Sequence, residues 1–219
     1  MAAFTRNGYG QVEPNQLSAQ KTGQIYASLP LDKEVNVLQN GEFMYYDYAN
    51  GTVNAGKAAA TGVFATKGEP MLVFNEIKLY EPFWRTSYKD FAMIRVGDNY
   101  VTSKLATAEY GENSDVAQAT YPVHGKDNQE YAYRMDGFAP RLFKTNVGDI
   151  YTTNMVRLID DNDDPIEYAV GDILTPVKDT DSKTMVLEKT ALTTGMLWEV
   201  VKVYTMPDGQ PGLKLQRVQ

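Results

Sequence analysis

Hydrophobic and polar positions alternate in short runs along this chain, and glycine-containing turns separate the runs. Residues 35–38 form one such run, and the aromatic-rich residues 42–48 lie between Asn40-Gly41 and Asn50-Gly51. Asn-Gly is a strong signal for a tight turn between antiparallel strands. The pattern therefore predicts an antiparallel hairpin or meander over about residues 35–54.

The phrase Val-Gly-Asp occurs three times, at Val96-Gly97-Asp98, Val147-Gly148-Asp149 and Val170-Gly171-Asp172. Gly and Asp favour turns, and the aliphatic, aromatic and hydroxyl residues that follow each phrase are common in strands. Each phrase is predicted to mark the entry of a strand. Further strands are predicted at residues 24–28, 70–80, 91–96, 131–134 and 184–188, with a closing hairpin formed by residues 196–205 and 213–218. Residues 111–130 predict a long polar loop that contains the one histidine, His124.

These patterns predict a mainly β protein, built from antiparallel β-sandwich or barrel units with little helix and an extended N-terminal arm. Three segments are predicted: the arm at residues 1–25, a β-rich domain at 26–140 and a small barrel-like β-domain at 141–219. A soft boundary between the two domains is placed near Pro140.

The N-terminal arm is rich in Gln, Asn, Gly and Ser, and no helical or alternating period organises its hydrophobic residues. Those residues are Phe4, Tyr9, Val12 and Leu17, and we predict that they contact a neighbouring molecule. A terminus that is disordered in the isolated monomer is the alternative interpretation.

Composition narrows the classes of function. The chain has 219 residues, no cysteine and a formal net charge of −7, so no disulfide or thiolate chemistry is available and nucleic-acid binding is disfavoured. No apolar run approaches the roughly 18 residues that indicate a membrane span, and residues 1–28 lack the pattern of a signal peptide. We expect a protein that is made in the cytoplasm and binds neither nucleic acid nor membrane.

No candidate catalytic or metal centre emerges from the motifs. Asp160, Asn162 and Asp164 match the start of a calcium loop, but Pro165 and Gly171 stand where that loop needs Gly and a bidentate Glu. A solvated acidic turn is therefore predicted, without a metal. No nucleophile motif accompanies His124, and neither phosphate-binding glycine pattern is present. Paired glycosidase carboxylates stay open, since their separation is spatial. We predict no enzymatic activity and no cofactor.

Aromatic residues suggest a second idea. The chain has 15 Tyr and two Trp, and Tyr45, Tyr46 and Tyr48 fall on both faces of one predicted strand, so at least one should face outward. Most of the aromatic residues are predicted to pack in the core or across strands. Exposed aromatic rings stack on sugar rings, which makes a carbohydrate-binding module an alternative function.

Six segments together resemble structural proteins encoded by tailed bacteriophages. They are PMLVFNEIKLYE (70–81), YKDF (88–91), YRM (133–135), VGDIYT (147–152), VGD (170–172) and WEVV (198–201). Within that group the chain is most similar to auxiliary head proteins that decorate or cement an icosahedral shell. The resemblance covers about residues 35–218, and the N-terminal arm and residues 111–130 have no counterpart in it.

The resemblance implies a non-enzymatic virion protein on the capsid surface, with the major capsid protein and neighbouring copies of itself as partners. Residues 1–25, with Phe4, Tyr9, Val12 and Leu17, are then predicted to clamp the protein to the shell or to a neighbour. Deleting them is expected to leave the β-fold intact but to abolish incorporation. A tail or baseplate component is the alternative within virions, and monomer and trimer both stay open.

Overall fold

The structure, a computed structural model, consists almost entirely of β-strands. It describes residues 4–6, 10–32, 35, 37–56, 69–75, 93–95, 121–124, 130–133, 139–160, 162–179, 183–206 and 209–219, with the backbone alone for 37, 93–95, 121–124 and 130–133. The prediction of a mainly β fold with little helix is confirmed. The strands are antiparallel and build a curled sheet that forms half of a barrel.

The described residues form fifteen strands and one short helix. The first half of the chain contains β1 (Val12–Gln16), α1 (Ser18–Thr22), β2 (Ile25–Tyr26), β3 (Val37–Gln39), β4 (Phe43–Asp47), β5 (Thr52–Asn54), β6 (Met71–Val73) and β7 (Met93–Arg95). The second half contains β8 (Tyr121–His124), β9 (Glu130–Tyr133), β10 (Leu142–Phe143), β11 (Ile150–Thr153), β12 (Ile173–Lys178), β13 (Met185–Lys189), β14 (Trp198–Thr205) and β15 (Pro211–Arg217).

Eleven of the described strands belong to one sheet, in the order β1-β11-β15-β14-β12-β13-β4-β6-β10-β2, with β5 added beside β4. The remaining described strands form two separate pairs, β3 with β7 and β8 with β9. The large sheet takes strands from all three segments that the sequence predicted. In particular, β4 pairs with β13, and β10 pairs with both β2 and β6, so hydrogen bonds cross the boundary near Pro140.

Aromatic side chains fill the inside of the curled sheet. Trp198 on β14 is completely buried, and its ring meets Tyr151 on β11 edge to face at 4.9 Å between centroids. Phe43 on β4 lies 6.1 Å from Trp198 on a tilted ring plane. Edge-to-face and tilted contacts suit the charge distribution of aromatic rings and add to the gain from apolar burial. This cluster joins three strands that are distant in sequence.

Two of the three Val-Gly-Asp phrases lie directly before strands, as predicted. Asp149 precedes β11, and Asp172 precedes β12. Both carboxylates bond the backbone of their own turn: Asp149 accepts from the N–H of Asn146 at 2.9 Å, and Asp172 accepts from the N–H of Ala169 at 2.7 Å. The prediction is confirmed for these two phrases, while Val96-Gly97-Asp98 lies outside the described residues.

The two turn aspartates have different further partners, and this difference gives a prediction. Asp149 is buried and also accepts from the N–H and hydroxyl of Ser18 at 3.0 and 2.9 Å. Asp172 is more exposed and forms an ion pair with Lys189. We expect Asp149→Ala to lower the free energy of unfolding by about 2 kcal/mol and Asp172→Ala by about 1 kcal/mol. Urea denaturation of both variants measures the difference, and equal losses would contradict it.

The hairpin prediction is right at one Asn-Gly turn and wrong at the other. Asn50-Gly51 connects β4 and β5, which pair as an antiparallel hairpin with Tyr45 opposite Asn54. That part of the prediction is confirmed. Asn40-Gly41 lies between β3 and β4, but β3 pairs with β7, so the predicted hairpin at this turn is wrong. The register of β3 places Val37 opposite Arg95, far along the chain.

The N-terminal segment differs from the predicted extended arm. Strand β1 pairs antiparallel with β11, with Val12 opposite Thr153, and α1 follows it directly. Residues of the segment also bond side chains of the sheet: Gln11 N–H donates to Asn154 Oδ1 at 2.7 Å, and Asn15 Oδ1 accepts from the Thr152 hydroxyl. Asn15, one of the polar residues that suggested a free arm, is therefore a side-chain partner of strand β11.

Residues 111–130 were predicted as a loop, but residues 121–124 form β8, which pairs with β9. His124 is therefore a strand residue, opposite Glu130. The run Tyr-Pro-Val-His is too short to predict a strand from its alternation, and its proline disfavours most strand positions. The strand predictions at 131–134 and 184–188 and the closing hairpin are confirmed by β9, β13 and the β14–β15 pair.

Candidate functional site

A row of three tyrosines crosses one edge of the sheet. The rings of Tyr26 and Tyr46 lie 5.6 Å apart between centroids, and those of Tyr46 and Tyr48 lie 5.8 Å apart. The planes of Tyr46 and Tyr48 differ by only 23°, so these two rings are stacked. Tyr46 is buried, whereas Tyr48 is 76% exposed, the largest exposed fraction given for any large hydrophobic residue that the structure describes. The row therefore runs from half-buried Tyr26 through buried Tyr46 to exposed Tyr48.

The turn between β4 and β5 holds Tyr48 in place. Asp47, the last residue of β4, accepts hydrogen bonds from the N–H groups of Ala49 and Asn50 at 3.2 and 3.3 Å. Its other carboxylate oxygen accepts from the side-chain amides of Asn50 and Asn54 at 3.0 and 3.3 Å. Four donors on one carboxylate fix the backbone on both sides of Tyr48. The exposed ring is thus presented by an ordered turn.

The inner end of the row is also anchored. The hydroxyl of Tyr46 accepts a hydrogen bond from the N–H of Ser28 at 3.1 Å. Tyr26 lies on β2, the last strand of the large sheet, and is half-buried. On the strand that carries Tyr46, residues Tyr45–Asp47 pair with β5, and Phe43 and Met44 pair with β6. Tyr46 therefore lies on a paired part of the sheet.

The row borders an open cleft of about 550 Å³. The residues that line it are Tyr26, Tyr45, Tyr46, Asp47, Tyr48, Ala49, Glu69, Met71 and Lys144. Glu69 and Lys144 bring one negative and one positive side chain to this lining, and both are exposed to solvent. The cleft combines aromatic walls with a few polar groups, which is the usual make-up of small-ligand sites.

Glu69 is held by the C-terminal strand. Its Oε1 accepts from Nη2 of Arg217 at 2.6 Å, and Arg217 is buried on β15. The same guanidinium donates to the carbonyl and the hydroxyl of Thr145. Burial raises the pKa of the Tyr45 hydroxyl, and the negative charge of Glu69 raises it further, so Tyr45 stays a neutral donor in this lining.

Three of the four predicted contact residues of the N-terminal segment, Phe4, Val12 and Leu17, are described by the structure, and none of the three lines this cleft. Phe4 is buried edge to face against Tyr168 at 5.6 Å, and Leu17 is almost completely buried. Val12 is partly buried and packs against the same core. Tyr9 lies outside the described residues. In this structure, the three described side chains pack against their own chain.

Burial of these side chains changes what we expect from a truncation. Removing residues 1–25 would take β1 from the sheet and Phe4 and Leu17 from the core. The free energy of unfolding should then fall, because the strand's hydrogen bonds and buried apolar area are lost. The earlier expectation, that such a deletion leaves the β-fold intact, does not fit this packing.

The acidic residues around Asp160 build a turn. Asp160 Oδ1 accepts from the N–H groups of Asn162 and Asp164 at 2.8 and 3.0 Å, and these bonds hold the pKa of its carboxyl below the ordinary value. Among the residues that the structure describes, no three His, Cys, Asp or Glu side chains are grouped so as to hold a metal ion.

Sequence reasoning identified part of the tyrosine row. The alternation of Tyr45, Tyr46 and Tyr48 indicated that at least one ring faces outward, and Tyr48 does so. No sequence pattern indicated that Tyr26, Glu69 and Lys144 lie together, since β2 and the residues beside β6 and β10 come together only through the order of strands in the sheet. Trp198 is buried in the core, as predicted for most of the aromatic residues.

Comparisons with protein-family models, with curated proteins and with solved structures found no match to this chain. In the described part of the chain, no helix has the length and apolar character needed to cross a membrane.

Proposed function

We propose that this chain is a non-enzymatic structural protein of a tailed-phage virion, which binds the outside of the capsid and stabilises the shell. Its partners on this proposal are the major capsid protein and neighbouring copies of itself. The proposal rests on the sequence resemblance and on the way in which this fold uses its carboxylates.

The observation that carries the proposal is that carboxylates of four separate turns are bonded to backbone N–H groups. Asp47, Asp149, Asp160 and Asp172 each accept at least one such bond within their own turn. Carboxylates in these positions order loops and resist local unfolding, because charged acceptors form the stronger hydrogen bonds. These four carboxylates hold turns in shape. That use favours a durable structural protein over an enzyme that uses its carboxylates for proton transfer.

The contact surface proposed here differs from the N-terminal segment. Val147 and Val170, the first residues of two Val-Gly-Asp turns, are 65% and 66% exposed. Covering apolar side chains at the tips of ordered turns with another surface is favourable, because apolar area is buried while little loop entropy is lost. On a shell, the same modest contact is repeated at every lattice position, and linked copies then stay attached through avidity. We assign the capsid contact to these turns.

Co-sedimentation with heads tests this proposal. Heads of the encoding phage, assembled without the protein, are mixed with the purified chain, and copies per particle are counted by gel densitometry. We expect saturation at a multiple of the symmetry of the shell. The variant Val147→Asp/Val170→Asp should bind at least ten-fold fewer copies, while Val203→Asp, which changes an exposed valine on β14, should bind normally.

Two results would contradict the proposal. A wild-type chain that does not bind heads would exclude the decoration function, and co-purification with tails would assign the chain to the tail instead. Normal binding by the Val147→Asp/Val170→Asp variant would refute the contact surface, although the decoration function would stand.

A further inference from the structure

The Tyr48 ring is exposed in a way that the fold does not require. Its inner face is stacked on Tyr46, and the four hydrogen bonds to Asp47 fix the turn beneath it. A large apolar ring held rigidly in water loses the hydrophobic free energy that burial would give. The same rigidity lowers the entropy that the ring would lose on binding a ligand. The turn therefore presents a preorganised flat surface at the mouth of the cleft.

The chemistry of the cleft selects the class of ligand. The exposed face of Tyr48 suits the flat face of a pyranose ring, whose C–H groups carry partial positive charge and stack on aromatic rings. Glu69 accepts and Lys144 donates hydrogen bonds, which fits the hydroxyls around such a ring. The volume of about 550 Å³ falls in the range of about 300–1,000 Å³ that small-ligand sites occupy.

Charge argues against polyanions as ligands. The lining holds Asp47, Glu69 and Lys144, and Glu69 is paired with the buried Arg217, so these groups bring no net positive charge to the cleft. They therefore do not offset the repulsion that the formal charge of −7 on the whole chain exerts on phosphate or uronate groups. An uncharged sugar has no such penalty.

A peptide fits this cleft less well than a sugar does. Strand addition needs unpaired backbone groups, whereas Tyr45, Tyr46 and Asp47, the residues of β4 that line the cleft, already pair with β5. Rings with flanking polar groups match a ligand that has a flat apolar face and a rim of hydroxyls.

We infer that the cleft beside Tyr48 binds neutral hexose units of a polysaccharide, with Tyr48 as the stacking platform and Glu69 and Lys144 as hydrogen-bonding partners. This inference goes beyond the proposed capsid function and does not depend on it, because the proposed capsid contacts are Val147 and Val170 in the Val-Gly-Asp turns, and neither residue lines the cleft. A chain bound through those turns and a free chain carry the same tyrosine row.

Titration calorimetry with four defined probes tests the inference. The probes are linear oligosaccharides of β-1,4-glucose, β-1,3-glucose, β-1,4-galactose and α-1,6-mannose, with an oligomer of guluronate as the charged comparison. We expect the full-length chain to bind at least one neutral probe and to bind the guluronate oligomer at least ten-fold more weakly. Tyr48→Ala should weaken binding at least ten-fold, which corresponds to about 1.4 kcal/mol.

Two variants distinguish loss of the stacking ring from loss of folding. Tyr48→Phe keeps the stacking face, so its affinity should stay within three-fold of wild type. Tyr48→Ala removes an exposed side chain, so its melting temperature should stay within about 2 °C of wild type, which shows that lost binding is not unfolding. Lack of binding of every neutral probe, or equal affinities for wild type and Tyr48→Ala, would overturn the inference. Loss of head binding by Tyr48→Ala with unchanged sugar affinity would also overturn it, because the cleft would then be a protein contact.

Discussion

Replacing Gly41 with alanine is expected to lower the free energy of unfolding by about 3–4 kcal/mol. Gly41 has a φ of +95°, a conformation that costs an L residue about 1–2 kcal/mol. A Cβ at this position would lie 2.6 Å from Met155 Cβ and 2.6 Å from Thr153 Oγ1. Overpacking of that kind typically costs about 1–3 kcal/mol more. Urea denaturation of the variant measures the total.

Gly51 provides the matched control. It has the same sequence context, Asn-Gly, and a φ of +65°, but a Cβ there meets no described atom within 4 Å. Gly51→Ala should therefore cost only about 1 kcal/mol, the price of the backbone conformation alone. The comparison separates backbone strain from steric crowding. A Gly41→Ala loss no larger than that of Gly51→Ala would show that the neighbours of Gly41 adjust freely.

The two Asn-Gly turns also show where sequence reasoning succeeds. At Asn50-Gly51 the flanking residues are the partners, since β4 and β5 pair directly across the turn. A local pattern can predict such a hairpin. At Asn40-Gly41 the local pattern is the same, but β3 pairs with β7, and the turn serves to bring the backbone close to Thr153 and Met155. That choice depends on contacts between residues far apart in sequence.

The N-terminal segment differs from the predicted extended arm for a related reason. Phe4 and Leu17 were identified as apolar residues that need a surface to cover them, and both are covered in the structure. The surface belongs to the chain itself: Phe4 meets Tyr168, and β1 meets β11. Periodicity within residues 1–25 carries no information about a partner strand that begins at Ile150. The need for burial was predictable, and the identity of the partner was not.

The candidate site has one feature that a local sequence pattern predicts and others that depend on contacts between distant residues. Exposure of one ring in the run of Tyr45, Tyr46 and Tyr48 followed from alternation along the strand. Alternation does not tell which ring is exposed, because β4 ends at Asp47 and Tyr48 already belongs to the turn. The side chain of Glu69 is held at the cleft by its bond to Arg217, which lies near the C-terminus and far from Glu69 in sequence. The ring could be predicted from the sequence, but the cleft around it required the sheet order.

Glu42, which directly precedes β4, is an ionisable group in the core. It is completely buried, its Oε2 accepts from the N–H of Gln39 at 2.8 Å, and its Oε1 has no hydrogen-bond partner in the described part of the chain. Burial raises the pKa of the carboxyl to about 8, although the bonds from Gln39 and Thr184 and the charge of Arg6 act in the opposite direction. Nearby Asp179 raises the pKa further. The folded protein therefore holds Glu42 in the protonated form at neutral pH.

This pKa predicts that the protein loses stability as the pH rises. The unfolded chain releases the Glu42 proton near pH 4.5, whereas the folded chain keeps it to about pH 8. Between these values the folded state binds more protons, so the free energy of unfolding falls with increasing pH and levels off above pH 8. At about 1.36 kcal/mol for each pH unit, the fall is at most about 5 kcal/mol. Urea denaturation at a series of pH values from 4.5 to 9 measures it.

Glu42→Gln isolates the contribution of this carboxyl from those of the other titrating groups. The amide keeps an oxygen that can accept from Gln39 and carries no charge at any pH, so the variant should lack the part of the slope that Glu42 causes. At pH 9 it should be more stable than wild type by a few kcal/mol, because wild type must then either bury a charge or retain a proton against the solution pH. At pH 4.5 both proteins hold a neutral side chain, and their stabilities should agree within about 1 kcal/mol. Parallel pH profiles would mean that Glu42 titrates alike in the folded and unfolded chain, and that solvent or Arg6 stabilises its charge within the fold.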